Sequence, residues 1–178
     1  MAKANLNKLR RYRKIAASVE KVGADALGRA FKLDRVCYPA SSLQAFLETL
    51  GLTPGLSDRK YYFIPFEDWK NIIEVDWVNE KEYYSDYWDC DNYGWLFSAR
   101  MAMLFKVNTA GRGSGTLHNP NTGKFLGNHA FNIIVSRETD GFHAWLYEPM
   151  NDLYTEITKN KKLVLKNWEY RLTWNNFF

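Results

Sequence analysis

A cysteine, a histidine and a glutamate stand in an order that suits nucleophilic chemistry. Cys90 sits in Tyr87-Trp88-Asp89-Cys90-Asp91-Asn92-Tyr93-Gly94, His129 opens the strand-like run Ala130 to Val135, and Glu148 closes the next such run ahead of Pro149. The gaps are 39 and 19 residues. A thiol reacts as its thiolate, which the positive end of a helix dipole and unpaired backbone amides stabilise at a helix start. An imidazole at a strand edge suits a proton acceptor for that thiol, and a neighbouring carboxylate can fix its tautomer. Asn132 and Asp152 are alternative orienting groups, because an amide oxygen or a second carboxylate does the same work. His143 shares a strand face with Trp145 and Tyr147 and ranks below His129, as does His118 in its polar surroundings.

Around the cysteine lies an acidic stretch. Glu74, Asp76, Glu80, Glu82, Asp86, Asp89 and Asp91 face only Lys81, a local charge of −6. Oxygen-rich clusters suit calcium, whereas two cysteines and three histidines give no zinc spacing. The metal candidates are Asp89 and Asp91. Trp88, Tyr93 and Trp95 are the aromatic candidates for shaping the cleft, and the backbone N–H of Cys90 is one expected oxyanion donor.

The elements that must position these residues are legible in part. Asn92 to Val107 reads as a helix through Leu96, Met101, Leu104 and Phe105, and Gly141 marks a hairpin between the His129 strand and the Glu148 strand. Leu43 to Leu50 and Glu67 to Val75 read as further short helices. Tyr61 to Pro65, Tyr154 to Ile157, Lys162 to Leu165 and Tyr170 to Trp174 read as extended segments. Thr109 to Gly127 holds five glycines among small polar residues and predicts a long exposed loop. With 178 residues, 46% of them hydrophobic, the chain can bury one sizeable core. Two cysteines exclude a disulfide framework and predict free thiols, with Cys37 as a small buried hydrophobe.

Charge divides the chain. The net charge is +4, yet residues 1–22 carry seven Lys or Arg against Glu20, so the remainder is −2. Residues 1–55 therefore read as a basic, helical N-terminal extension and 56–178 as the catalytic body. Residues 1–22 could meet nucleic acid or another anionic partner, though without base-reading motifs a solvated helix face is the simpler account. No apolar run approaches a membrane span, which predicts a cytoplasmic protein without a membrane partner.

The order Tyr87-Trp88-Asp89-Cys90-Asp91-Asn92, His129-Ala130-Phe131-Asn132, Glu148-Pro149 resembles the papain-like cysteine peptidase domain at the C-terminus of certain fungal agglutinins, with small phage or bacterial relatives. The likeness covers roughly residues 60 to 155 and departs from the family at Asn92, where an acid is usual. It implies an α+β papain-like fold, with the Cys90 helix on a small antiparallel sheet, and a Cys90-His129-Glu148 triad acting on a peptide or protein substrate. It also implies calcium, with Asp89 and Asp91 among the ligands, and a host cytoplasm or virion as the setting if the chain is phage-encoded. Two other functions fit the sequence: a catalytically silent papain-like interaction module or virion scaffold, and a nucleic-acid accessory protein using the basic N-terminal helix.

Overall fold

The computed structural model describes residues 31–86, 88–159 and 162–177, with Trp174 described by its backbone alone. Residues 1–22 lie outside them, and so does most of the predicted N-terminal helix. The described chain is mixed α+β and mostly sheet, with three short α-helices: α1 (Ala40–Thr49), α2 (Phe66–Val75) and α3 (Cys90–Arg100). Strands β1 (Val36–Pro39) and β3 (Lys60–Phe63) pair antiparallel in a small ribbon. The main sheet has the order β2-β9-β4-β5-β6-β7, from β2 (Pro54–Leu56), β9 (Trp168–Phe177), β4 (Ala110–His118), β5 (Phe125–Arg137), β6 (Phe142–Glu148) and β7 (Leu153–Glu156). A further strand, β8 (Leu163–Leu165), pairs with β9. The expected small antiparallel sheet is thus larger, and it contains the parallel pair β2–β9.

Strand β5 explains why both faces are covered. Its alternate residues Phe131, Ile133 and Val135 join Leu43 and Leu47 of α1 and Tyr61 and Phe63 of β3 in one core. The other parity sends Ile134 toward Trp69 and Ile72 of α2 and Phe97 of α3 in a second core. Period-two alternation therefore serves two apolar layers rather than one apolar face and one wet face. The residues on either side of position 55 share the first of these cores.

The predicted loop over 109–127 is corrected by β4, which lies between β5 and β9 at the middle of the sheet. Its glycines are required by close approach, not by turning. A Cβ at Gly113 would stand 2.5 Å from the Phe131 ring, and one at Gly115 would stand 2.1 Å from the Arg171 carbonyl oxygen. Only the tip is a turn, around Asn119 to Lys124, closed by the Asn119 N–H to the Lys124 carbonyl at 2.8 Å. Cys37 is corrected as well: it is exposed on β1, and both cysteines are free.

Helix α3 starts where the thiol does. Asp89 and Asn92 form a reciprocal capping box, in which the Asp89 N–H donates to Asn92 Oδ1 at 3.2 Å, so Cys90 is the first helical residue. The expected helix to Val107 becomes α3 followed by a π-turn over Met101–Phe105, which stops at Lys106 in the left-handed region with φ 57°. Gly94 lets α3 approach the sheet, since a Cβ there would meet Arg112 Cγ at 3.3 Å and the Phe131 carbonyl at 3.5 Å. Among the described residues no helix is long and apolar enough to cross a membrane.

Candidate functional site

Three elements bring the sequence-selected residues together. Cys90 heads α3, His129 is early in β5, and Glu148 ends β6, which pairs with β5 in antiparallel register. His129 Nε2 and Glu148 Oε2 are 2.5 Å apart, leaving Nδ1 for the Cys90 thiol. The Ala130 N–H donates to Cys90 Sγ at 3.4 Å, a further partner for a thiolate. Glu148 is 1% exposed and receives the Tyr170 hydroxyl at 3.3 Å on the oxygen that faces the imidazole.

The electrostatics of His129 follow from these contacts. Burial acts to lower its affinity for a proton, but hydrogen bonds to Cys90 and Glu148 and the charge of Glu148 outweigh it. The imidazole is pushed up from 6.5 to about 9 and is charged at neutral pH. Asp89 is held above its ordinary range, chiefly by its hydrogen bond to Asp91, then by burial and the Asp91 charge. Arg112 Nη2 stands 4.0 Å from Asp91. The guanidinium sets a positive charge on the Asp91 side of the cleft.

The alternative orienting groups are employed elsewhere. Asn132 is fully buried and donates to the Gly94 carbonyl at 3.0 Å, Ser98 Oγ at 2.9 Å and the Gly111 carbonyl at 3.1 Å, so it pins α3 to the sheet. Asp152 accepts from Tyr147 at 2.7 Å and from Asn79. His143 bonds Glu156 at 2.7 Å and Asp140 at 3.1 Å, and His118 closes the β4–β5 hairpin through Thr116 and Gly123.

Two cavities meet at the thiol. An open cleft of about 490 Å³ is lined by Asp89, Cys90, Asp91 and His129 on one side and by Arg112, Ser114, Thr116 and Thr173 on the other. Thr173 reaches the cleft because β9 slips register against β4 between Ser114 and Gly115. A second cavity of about 240 Å³, lined among others by Tyr83, Leu117, Met150 and Trp168, shares Cys90, Asn128 and His129 with the first. The aromatic residues expected at the cleft lie off it. Tyr93 is buried with its hydroxyl on the Lys81 carbonyl, and Trp95 packs near Arg112. The β4 and β9 residues were missed because glycine-rich β4 reads as loop; its alternation of glycine with Arg112, Ser114 and Thr116 was the available signal.

Asp89 and Asp91 do not, as arranged, make a calcium cage. Calcium takes six to eight oxygens, whereas Asp89 caps a helix and no third His, Cys, Asp or Glu joins the pair among the described residues.

The class defined by fold and site is an α+β protein with a thiol, an imidazole and a carboxylate in register at one cleft. No family model matches the chain, and no curated protein matches it. Solved structures do. The structure of Polyporus squamosus lectin bound to the epitope Neu5Aca2-6Galb1-4GlcNAc is similar at 16% identity and TM-score 0.57, over 79% of this chain and 49% of that one. The "PSL1a-E64 complex" is similar at 20% identity and TM-score 0.56, over 79% of this chain and 50% of that one. This chain thus spans about half the length of those it matches, and at this identity the likeness concerns the fold, which is like that of a fungal lectin.

That finding corrects the expected function. The neighbours are structures of a lectin, one of them holding a saccharide, and they point to binding rather than peptide-bond cleavage. The reading as a cysteine peptidase, with its labels of hydrolase and thiol protease, is overturned. The scaffold and nucleic-acid readings offered beside it are not what the neighbours indicate either, and neither neighbour supports a phage origin.

Proposed function

We propose that the chain is a ligand-binding protein with a nucleophilic thiol in its cleft: Cys90 the nucleophile, His129 its proton acceptor and Glu148 the group that holds the imidazole. The observation that carries this reading is the 2.5 Å pairing of His129 Nε2 with Glu148, with the imidazole raised to about 9 by its bonds to Cys90 and Glu148. A thiolate beside an imidazolium is the reactive form of a cysteine. Its sulfur displaces a leaving group from an electrophilic carbon of the ligand: the carbon–sulfur bond forms, the bond from that carbon to the leaving group breaks, and the proton on His129 passes to the group that leaves. A papain-like arrangement of helix and sheet is the finer fold reading that goes with it, as is the division into a basic extension at 1–55 and a body at 56–178.

A second reading is saccharide binding in the same cleft. The polar lining of Arg112, Ser114, Thr116 and Thr173 and the likeness to a lectin favour it. Peptide or protein ligands, and nucleic acid at residues 1–22, are further proposals. The last is a matter for the salt dependence of binding with and without that segment.

One experiment separates most of these. Both thiols are alkylated with iodoacetamide near pH 7 and followed by peptide mass spectrometry. Cys90 is expected to react about 10-fold or more faster than the more exposed Cys37, and His129→Ala is expected to remove the advantage. Equal rates in the wild-type protein sink the thiol reading. Protection of Cys90 by Neu5Aca2-6Galb1-4GlcNAc supports the saccharide reading.

A further inference from the structure

The cavity of about 240 Å³ behind the thiol carries two exposed aromatic side chains, Tyr83 and Trp168, that do not line the cleft in front of it. Its walls are Tyr83, Leu117, Met150 and Trp168 together with Glu148 and Asn151, while Cys90, Asn128 and His129 are shared between the two spaces. Tyr83 and Trp168 are 50% and 40% exposed, so their rings face solvent rather than a core. Both sit on firm supports. Tyr83 precedes the bridge in which Tyr84 and Trp88 exchange hydrogen bonds of 2.8 and 2.9 Å just ahead of α3. Trp168 starts β9 opposite Leu165, after a turn that holds Lys166 at φ 53°. Tyr83 also lies within electrostatic reach of Cys90 and Asp89, which help to raise its hydroxyl after burial.

Resting on the thiol reading above, we infer that this second cavity is a specificity subsite, in which Tyr83 and Trp168 bind a flat apolar group of the ligand that Cys90 attacks. The volume limits what enters. It is below the roughly 300 Å³ at which pockets for whole drug-sized ligands begin, so it takes one ring or short aliphatic group, with the polar remainder in the front cleft. Aromatic side chains suit this role because they offer wide contact at small cost in side-chain entropy. The ligand therefore straddles the Cys90–His129 ridge, polar at Arg112 and apolar at Trp168.

The test compares N-benzyl iodoacetamide with iodoacetamide at Cys90. The benzyl reagent is expected to react with saturation and about 10-fold or more faster, the order expected for partly burying one ring. The ratio is expected to fall toward one in Trp168→Ala and Tyr83→Ala. Phe125→Ala, which removes a 54% exposed aromatic outside the cavity, keeps it. A wild-type ratio near one, or a ratio unchanged in both cavity variants, overturns the subsite. An unreactive thiol leaves a direct measurement: N-benzylacetamide binding to Cys90→Ala protein by ligand-observed NMR, lost in the further Trp168→Ala change. Binding there without thiol reactivity upholds the subsite while the thiol reading fails; no binding refutes the subsite.

Discussion

At the scale of single residues, the molecule turns on how His129 is charged. Burial alone would make the imidazole shed its proton below 6.5; the hydrogen bond to Cys90, then the hydrogen bond and charge of Glu148, hold it to about 9. Glu148→Gln keeps the shape and removes the charge. The His129 titration, followed by NMR of the ring protons, is therefore expected to move from about 9 toward 6.5 in that variant. The same shift has a stability sign. Because the folded value is raised, protonated His129 contributes stability fully below pH 6.5, and that contribution is lost as pH rises through about 9. Urea midpoints are expected to fall across that window in the wild-type protein and to flatten in Glu148→Gln. An unchanged titration would mean that Glu148 does not govern the imidazole.

At the scale of elements, β4 shows what composition conceals. Five glycines between 109 and 127 argue for a loop, yet Gly111, Gly113 and Gly115 occupy every second position of a buried central strand. Each makes room for something specific: Asn176 and Phe177 at Gly111, the Phe131 ring at Gly113, the Arg171 backbone at Gly115. Glycine weakens an isolated strand, but here a side chain would strike its neighbours. Gly115→Ala is the sharpest case, because the 2.1 Å clash is with a carbonyl oxygen that cannot rotate away. It is expected to cost about 1–3 kcal/mol by chemical denaturation, as overpacking does, and wild-type stability in that variant would show the strand to be more yielding than its spacing implies. The helices and the β5–β6 hairpin were easier to foresee, because apolar periodicity and Gly141 are local signals.

At the scale of the whole molecule, the α2–α3 layer is tied to itself and to the sheet by buried polar contacts. Arg100 Nε meets Asp76 Oδ1 at 2.7 Å, with the guanidinium 4.0 Å above the Trp77 ring, joining the end of α3 to the end of α2. Asp76 is 7% exposed. Asp76→Ala strands a buried cation and is expected to cost about 3–5 kcal/mol, whereas Asp76→Leu combined with Arg100→Met is expected to recover much of that loss. Denaturation curves of the two variants make the comparison, and equal losses would remove the stranded charge as the cause. Asn132 does the related work against the sheet, since its three donated bonds reach α3 twice and β4 once. The thiol keeps its place over β5 because those ties hold α3.

What the sequence determined by itself was local: a thiol at a helix start, an imidazole at a strand edge, a carboxylate before a proline, and the capping and turn residues that punctuate them. These are readable because helix caps, alternation and hairpin glycines act over a few neighbouring residues. Only the tertiary structure decided that Glu148 rather than Asn132 or Asp152 meets His129, that β4 and not a loop lines the cleft, and that Tyr83 and Trp168 flank the thiol. Those outcomes depend on strand register and on which distant residues are brought to one place, such as Tyr83 and Trp168, 85 positions apart and lining one cavity. Spacing along a chain carries no record of such contacts until packing fixes which faces meet.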